Sequence, residues 1–389
     1  MNRRNRLFFL TRQIWSGECI IVFDISRTPA ESPPCGVDSY DTLDSLQSAV
    51  ISLLMIIVNP SVAIITPTKN RFKLLCETMD SVRKQTFGAW EHIIVDDGSD
   101  DDTAEEVNRQ AAVDPRVRYV RRDGDKAGAN VCRNLGVRAT SAPLIMFLDS
   151  DDLLEPCCLE ERVQIMERNV DLDFATFQTA LFQKHKNDLG RILDADLLGD
   201  DLLRFLFFEV PWIITAPIWR RSTLFNLGLL DELLLSWQDI DLHIRAVVSQ
   251  CKYLRFATVD HHVRWQFEAT KISVLQRHSP KHLEASMYVF EKFEKLLRAR
   301  TCLTWTRQRA LCSLYFFIAE RWVDNKNISK AVHTWHTMRL RRLGGRGLWI
   351  TGLLFLTLLR ISPTLTPTTR LIHKWKGWMR LRTNPELLK

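Results

Sequence analysis

From residue 62 onward the chain alternates short apolar runs with segments of helical spacing, and this alternation constrains the fold more than any other feature. The apolar runs are VAIIT, WEHIIV, RVRYV and PLIMFL, each of strand length. Helical spacing appears between them in RFKLLCETMDSVRKQ, in SDDDTAEEVNRQAA with Ser99 as the predicted N-cap, and in residues 128–140. Strands that alternate with helices pair in parallel, so we predict an α/β fold with a layered sheet.

Acidic clusters follow two of these strands. After HIIV the chain reads DDGSDDDT, and after PLIMFL it reads DSDD. Ligands of such sheets sit at the carboxyl ends of the strands, so the two clusters are expected to meet at one edge. Gly98 permits a sharp turn that leaves Asp96 or Asp97 at this edge, where the carboxylate can accept a hydrogen bond from a ring N–H such as the imide of uracil. The alternative is that the cluster makes only a turn and a helix cap.

In the second cluster, Asp149 and Asp151 are the candidate metal ligands. Carboxylate oxygens bind hard divalent cations, and one of the pair can instead hold a ribose hydroxyl or a metal-bound water. A cation that bridges two phosphates would relieve the mutual repulsion of the aspartates. Asp152 is predicted to cap the next turn, and capping is also the alternative interpretation of the whole cluster.

A third acidic pair begins an amphipathic helix in the segment WQDIDLHIRA. Acids in the first turn cap a helix and complement its dipole, which is the structural interpretation. The functional interpretation places Asp239 at the helix start, facing the pocket as a general base. His261 and His262 follow another predicted strand, where a histidine can complete a metal site, face solvent or pack in the core.

Taken together, these segments resemble a known family. The stretches VAIITPTKNRFKLLCETMDSVRKQTFGAWEHIIVDDGSDDDT, AGANVCRNLGVRAT, PLIMFLDSDDLLEP and SWQDIDLHIRA are similar, in order and spacing, to the motifs of inverting family-2 glycosyltransferases. The resemblance covers residues 60–275 and implies the A-type glycosyltransferase fold. That fold is a single Rossmann-like nucleotide-diphospho-sugar transferase domain with a mixed, mainly parallel sheet, here followed by a helical C-terminal extension.

The resemblance also implies roles for individual positions. The nucleotide-sugar-binding residues would be Pro67, Thr68, Asn70, Asp97, Lys126, Arg133 and Asp149. Among them, Asp97 would bind the base, and Arg133 and Lys126 would lie near the ribose or the diphosphate. Asp149 and Asp151 would be the outer members of the family's D-x-D motif, holding Mn²⁺ or Mg²⁺, with Asp151 as the direct ligand. Asp239 would be the catalytic base.

Three positions depart from the family pattern. Lys69 stands where the family usually has Tyr, Cys132 where it often has Ala, and Gln238 where it usually has Glu. The Gln238 amide keeps hydrogen bonding but has no charge, which is expected to lower the pKa of Asp239. None of the three changes removes a residue that the chemistry requires.

The implied activity is that of a metal-dependent inverting glycosyltransferase of the hexosyl- or N-acetylhexosaminyl-transferase type. It would move a sugar from a nucleotide-diphospho-sugar, expected to be a UDP-sugar, to a hydroxyl of a glycan or glycolipid acceptor in cell-surface polysaccharide synthesis. Acceptor recognition is expected in residues 180–236, although a core role is favoured for most of the aromatics there. The alternative is a catalytically silent nucleotide-sugar-binding or scaffold protein of the same fold. A sugar nucleotidyltransferase would need a Gly-rich triphosphate loop, and PTKNRF has no glycine.

Charge is unevenly distributed along the chain. The formal net charge is +7, but residues 338–389 alone hold eleven Lys and Arg against one acid, so the rest is slightly acidic. A nucleic-acid binder would carry its basic residues on the folded body, so no nucleic-acid partner is expected. The basic, tryptophan-containing tail favours an anionic membrane surface, or alternatively a helix that packs on the catalytic domain.

Two further features bear on location. The apolar runs at 49–58 and 347–359 are shorter than the about 20 residues that span a bilayer, so neither is expected to cross one. Nine scattered cysteines without a C-x-x-C pair favour a reducing compartment. We therefore expect a cytoplasmic protein, peripheral on the inner face of the cell membrane.

Composition divides the chain into four predicted segments. Residues 1–58 are expected to be a leader that is disordered, or untranslated if synthesis starts at Met55. Residues 59–278 would form the catalytic domain. Residues 279–342 have the amphipathic pattern of a helical extension, and residues 343–389 form a basic, apolar, membrane-associating tail.

Overall fold

The computed structural model describes residues 11–14, 17–20, 60–193, 199–265 and 279–361. The chain consists of two compact units, which are Met1–Ile51 and Ser52–Lys389. In the first unit, strands β1 (Thr11–Ile14) and β2 (Gly17–Ile20) form an antiparallel pair. The remaining residues of the predicted leader, including Met55, lie outside the described residues.

Among the described residues, the second unit is built on a nine-stranded sheet. Its strands are β3 (Val62–Thr68), β4 (Trp90–Asp96), β5 (Val117–Arg121), β6 (Leu144–Phe147), β7 (Leu153–Leu154), β8 (Phe174–Phe182), β9 (Arg191–Leu193), β10 (Pro217–Arg220) and β11 (Tyr253–Arg264). Their spatial order is β5-β4-β3-β6-β10-β8-β11-β7, with β9 paired to β8. β3 pairs in parallel with β4 and β6, β4 with β5, and β8 with β11, whereas β10 runs antiparallel to its neighbours β6 and β8. The predicted mixed α/β sheet is therefore confirmed.

Helices cover both faces of this sheet. They are α1 (Phe72–Arg83), α2 (Thr103–Ala111), α3 (Ala129–Arg138), α4 (Cys158–Arg168), α5 (Asp201–Leu206), α6 (Arg221–Asn226), α7 (Gln238–Val248), α8 (Pro280–Ala299), α9 (Trp305–Asp324), α10 (Ile328–Leu340) and α11 (Arg346–Ile361). Alternate residues of β3 point to opposite faces. Val62 and Ile64 join the core beneath α1, α2 and α4, while Ala63 and Ile65 join the core formed with α3, α5, α7 and α8–α11. Because both faces are covered, the strand reads as an unbroken apolar run.

Helix α3 lies directly on β3. A Cβ placed on Gly136 would be 2.4 Å from Ile65 Cγ2, so only glycine allows this approach. The contact brings the first turns of α3 to the carboxyl edge of the sheet. There Gly128 N donates to Asp97, and Arg133 pairs with Asp149.

The predicted N-cap of the second helix is wrong. Helix α2 begins at Thr103, and Ser99 lies in the preceding loop. The Asp96 carboxylate accepts hydrogen bonds from both the backbone N and the hydroxyl of Ser99, so this side chain is held at the end of β4. Thr103 N instead donates to Asp101 Oδ1 at 3.1 Å.

The C-terminal helices share one core with the sheet. Leu283, Phe290 and Tyr315 belong to the same buried cluster as Ile65 of β3. Helix α11, at the start of the predicted tail, packs on α9 and α10, and a Cβ on Gly352 would lie 2.3 Å from Trp335 Cε2. Within the described ranges, every helix is too short or too polar to cross a membrane. Residues 362–389 of the predicted tail lie outside the described residues.

Candidate active site

A cavity of about 1190 Å³ opens at the carboxyl ends of β3, β4 and β6. The predicted site residues that line it are Pro67, Thr68, Asn70, Asp97, Arg133, Asp149, Asp151 and Asp239. Lys126 lies elsewhere, with its Nζ 3.3 Å from Glu232 Oε2 and most of its side chain exposed. The three acidic motifs therefore meet in one cavity, and Lys126 does not join them.

Asp96 and Asp97 have different environments. Asp96 is fully buried, and its carboxylate accepts hydrogen bonds from Ser99 N at 2.8 Å and from the Tyr119 hydroxyl at 2.6 Å. Asp97 lines the cavity, accepts from Gly128 N at 3.0 Å and pairs with Arg122 Nε at 2.5 Å. Asp96 thus makes the turn, and Asp97 is the carboxylate placed to meet a ligand.

The end of β3 supplies one wall of the cavity. Asn70 has a left-handed backbone, φ 52°, and its Oδ1 accepts from Asp100 N at 2.9 Å. This side chain ties β3 to the loop after β4. Thr68 Oγ1 is buried and has no hydrogen-bond partner among the described residues. A buried hydroxyl without a partner is costly, so this group is suited to a ligand.

Each aspartate of the predicted metal pair faces an arginine. Arg133 Nη2 lies 2.6 Å from Asp149 Oδ1, and Arg71 Nη1 lies 3.1 Å from Asp151 Oδ2. The buried Arg133 Nε has no partner within the described part of the chain. Arg71 also lines the cavity, but the sequence motifs did not single it out. The one sequence feature that could have indicated Arg71 as a cavity residue is its position directly after Asn70.

Asp149 and Asp151 are the cavity residues suited to a cation. Within the described ranges, no group of three or more His, Cys, Asp and Glu side chains is arranged to hold a metal ion. Mg²⁺ is commonly bound through one or two carboxylates, with water and substrate phosphates completing its shell. The carboxylates of Asp149 and Asp151 therefore fit a cation that binds together with a diphosphate, rather than one whose ligands all come from the protein.

Asp152 is not the turn cap that the sequence predicted. It is buried, and its carboxylate accepts from Thr215 Oγ1 at 3.0 Å and from Arg264 N at 3.2 Å. Burial raises its pKa well above the usual range, and the charges of Asp151 and Asp149 raise it further. Asp152 therefore joins the segment after β6 to β11 behind the cavity wall.

Asp239 lies in the first turn of α7, lines the cavity and is partly buried. Desolvation by burial raises its pKa, the Arg133 guanidinium opposes the shift, and the Asp149 carboxylate adds to it. The lowering of the Asp239 pKa expected from Gln238 in place of Glu stays a prediction, because the shift seen here is relative to a free aspartate and is set mainly by burial. The Gln238 amide instead donates to Leu234 O at 3.0 Å.

Helix α8 holds the turn that presents Asp239, a contact that sequence reasoning missed. Trp237 lines the cavity with a left-handed φ of 65°, and its Nε1 donates to Ser286 Oγ at 2.8 Å. Lys292 Nζ lies 2.7 Å from Asp241 Oδ1. The amphipathic pattern predicted helix α8, but spacing does not reveal the partners of its polar side chains.

The two predicted histidines belong to the core. His261 Nε2 lies 2.8 Å from Thr179 Oγ1, and its Nδ1 lies 2.8 Å from Asp260 Oδ1. His262 Nε2 bonds to Glu155 Oε1 at 2.5 Å. Both rings lie away from the cavity lining, so the packed interpretation is the one observed.

In the segment predicted to recognise the acceptor, the described aromatics mostly pack inside the protein. Trp212 is buried against Phe174 and Phe205. The residues of this segment that line the cavity are Val210 and Ile214. Their side chains give this part of the wall an apolar surface.

Residues 63–211 match the sequence pattern of Glycosyl transferase family 2. An uncharacterized glycosyltransferase of Rickettsia felis is 33% identical over 192 residues, which are 47% of this chain and 29% of that protein. The putative teichuronic acid biosynthesis glycosyltransferase TuaG of Bacillus subtilis is 32% identical over 148 residues, 37% of this chain and 58% of TuaG. The crystal structure of S. aureus TarS 1–349 in complex with UDP-GlcNAc superposes with a TM-score of 0.54 at 15% identity, covering 79% of this chain and 93% of that one. The chain spans less than two thirds of these two sequence relatives, and the structural likeness establishes the fold.

Proposed function

We propose that this family-2 glycosyltransferase moves a sugar from a nucleotide-diphospho-sugar to a hydroxyl group of a glycan or glycolipid acceptor, inverting the anomeric carbon. The observation that carries the proposal is the convergence of Asp97, Asp149, Asp151 and Asp239 with Arg133 on one cavity. The catalytic domain would comprise residues 59–278. A silent binding protein would have no need of a cavity-lining carboxylate with a raised pKa, such as Asp239.

The donor would bind along the carboxyl ends of β3 and β4. Asp97 can accept a hydrogen bond from the imide N–H of uracil, so we propose a UDP-sugar. The unpartnered Thr68 hydroxyl and Arg133 Nε would bond to the nucleotide. Pro67 and Asn70 would shape the base pocket, and Lys126 is left outside it.

The diphosphate would lie between Arg71, Arg133, Asp149 and Asp151. A divalent cation, Mn²⁺ or Mg²⁺, held by the two aspartates would supply electrostatic stabilisation of the leaving diphosphate. The two arginines now paired with these aspartates would then turn their guanidinium groups to the phosphate oxygens, which they match in geometry.

Asp239 would act as the general base. Its carboxylate would accept the proton of the acceptor hydroxyl while that oxygen attacks the anomeric carbon on the face opposite the nucleotide. The new glycosidic bond forms as the bond from the anomeric carbon to the diphosphate breaks. A raised pKa makes the Asp239 carboxylate a stronger base.

The acceptor would be an intermediate of cell-surface polysaccharide synthesis, and the chain would extend it on the cytoplasmic face of the membrane. The relative TuaG, a putative glycosyltransferase of teichuronic acid biosynthesis, supports this proposal. The basic composition of residues 338–389 supports peripheral binding to an anionic membrane surface.

Release of nucleotide from a panel of sugar donors tests the proposal. UDP-glucose, UDP-N-acetylglucosamine and GDP-mannose are each incubated with the full chain and Mn²⁺ or Mg²⁺. We expect turnover of a UDP-sugar that a chelator abolishes. In Asp239→Asn the rate should fall about 10²- to 10⁴-fold, as for loss of a general base. Calorimetry should find UDP binding retained in that variant.

The matched control is Asp171→Asn, because the Asp171 side chain is 82% exposed and lies outside the cavity lining. This variant should turn over at the wild-type rate. Full activity in Asp239→Asn would refute the base assignment, and failure to bind any nucleotide would refute the donor assignment.

A further inference from the structure

Helix α11 leaves an apolar stripe in solvent, formed by Ile350, Leu354 and Leu358. These side chains are 50%, 60% and 40% exposed. They recur at every fourth residue and therefore lie on one face of the helix. The opposite face is fixed in the fold, because Phe355 and Leu356 are buried in the core. Packing thus holds this stripe outward.

The ends of the stripe are cationic. Arg346 is exposed one turn before Ile350, and Arg360 is exposed two residues after Leu358. Residues 338–361 contain no Asp or Glu, and the chain beyond them, residues 362–389, adds six Lys and Arg against one acid. The exposed apolar stripe has arginines at both ends and no acids. It is therefore complementary to a partner with an apolar interior beneath an anionic surface layer.

We infer that the exposed face of α11 docks on the surface of an anionic phospholipid bilayer. The helix has 16 residues, so it is about 24 Å long at 1.5 Å per residue, shorter than the roughly 30 Å hydrocarbon core. With one face already packed on α9 and α10, it would lie in the plane of the interface. The stripe enters the acyl boundary, and Arg346 and Arg360 meet the headgroup phosphates.

A second copy of the chain fits this face less well. A two-fold interface would pair the stripe with itself and bring arginines against arginines, with no acid on this face to compensate. The inference rests on the membrane binding proposed above and deepens it by naming the helix face that binds, whereas it does not depend on the proposed sugar transfer or its donor.

Cosedimentation of the full chain with lipid vesicles tests the inference. The vesicles contain phosphatidylcholine with phosphatidylglycerol in equal parts, or phosphatidylcholine alone. We expect binding to the anionic vesicles only. The double substitution Ile350→Gln/Leu354→Gln should weaken this binding at least about tenfold, because it removes two apolar side chains from the face that enters the bilayer. The matched control is Val113→Gln/Leu233→Gln, which changes two other exposed apolar side chains and should bind as wild type.

Charge is tested by Arg346→Gln/Arg360→Gln. Each arginine should contribute roughly fivefold to binding of the anionic vesicles, and the variant should also be less sensitive to salt. Retained UDP binding and an unchanged thermal midpoint confirm the fold in every variant, so a failed membrane test is distinguishable from a failed donor assignment.

Three results would overturn the inference. One is full vesicle binding by Ile350→Gln/Leu354→Gln. Another is equal binding to vesicles without phosphatidylglycerol. The third is a wild-type dimer in vesicle-free solution that Leu354→Gln dissociates, which would make a second copy the occupant of the stripe.

Discussion

Asp239 holds its negative charge where the surrounding protein disfavours one. Burial raises its pKa above the ordinary 3.8, so the folded chain binds the proton more tightly than the unfolded chain does. The carboxylate therefore destabilises the fold wherever it is ionised. This penalty is absent below pH 3.8 and complete above the raised pKa of the folded state. A residue whose role is chemical carries such a penalty more readily than one whose role is structural.

We accordingly predict that Asp239→Asn is more stable than wild type at pH 7. The amide has the same shape and can still accept the hydrogen bond from Ile240 N, which is 2.9 Å long, but it carries no charge to desolvate. Urea midpoints at pH 7 and at pH 4 measure the effect, and the gain should shrink as the pH falls through the pKa of the folded state. Asp171→Asn should show no gain, and an equal or lower midpoint for Asp239→Asn at pH 7 contradicts the assignment.

At single positions, the sequence could identify residues that belong to a recognisable motif. It could not identify residues whose role depends on an ion pair with a distant segment. Asp97, Asp149 and Asp151 follow strands, and the ends of those strands share an edge, so their convergence could be anticipated. Arg71 could not be predicted because its contact with Asp151 joins two segments 80 residues apart, and neither carries a sign of the other. The position of Lys126 outside the cavity lining could not be predicted for the same reason, since nothing in its spacing indicates the pairing with Glu232.

Among the helices and strands, α7 depends on α8. Trp237 has a left-handed backbone, an unusual state for a bulky residue, and therefore needs fixed contacts to remain there. Phe290 packs edge-on against its ring with centroids 5.1 Å apart, and Ser286 accepts its N–H. The helical extension thus supports the turn that presents Asp239, the proposed base, on α7.

We predict that Ser286→Ala lowers kcat while leaving the KM for the donor unchanged. The substitution leaves the buried Trp237 N–H without an acceptor, which costs about 1–3 kcal/mol of stability. It also loosens the turn before Asp239, and a displacement of about 1 Å at a catalytic group can lower the rate about 10²-fold. Steady-state kinetics and urea unfolding measure the two effects.

Ser313→Ala is the matched control for this prediction. Ser313 lies in the same extension, and its hydroxyl donates to Ala310 O within α9. That variant should keep the wild-type kcat. A raised donor KM in Ser286→Ala, with kcat unchanged, would contradict a positioning role.

The first strands and helices could be predicted because the sequence period is strong there. VAIIT, WEHIIV, RVRYV and PLIMFL all form strands, and the segments between them form α1, α2 and α3. Strand β10 could not be placed, because nothing in TAPIWRRS says that it will enter antiparallel between β6 and β8. The pairing partners of a strand depend on all the strands of the sheet, whereas the spacing of apolar residues reports only on the local segment.

At the scale of the whole molecule, the described C-terminal helices share one hydrophobic core with one face of the sheet. Ile65 of β3, Trp237 beside the cavity and Tyr315 of α9 are members of one buried cluster. Removal of α8–α11 would expose the apolar face of α7. Such a core should unfold as a single unit.

We therefore predict that a chain shortened after residue 278 lacks a cooperative unfolding transition, whereas one shortened after residue 361 keeps the transition of the full chain. The first loses the helices that cover Trp237, and the second keeps all the described helices. Thermal unfolding followed by near-ultraviolet circular dichroism measures this. A sharp transition at the wild-type midpoint in the shorter chain would show that residues 59–278 fold alone.

The contact of Gly136 with Ile65 has a consequence for mutational tolerance. A methyl group at position 136 would push α3 away from β3, and Arg133 stands one turn earlier on that same helix. The displacement would reach the guanidinium that pairs with Asp149. In a saturation library scored by the proposed sugar transfer, position 136 would therefore be as intolerant as the residues proposed to touch the donor, although it has no side chain with which to touch anything.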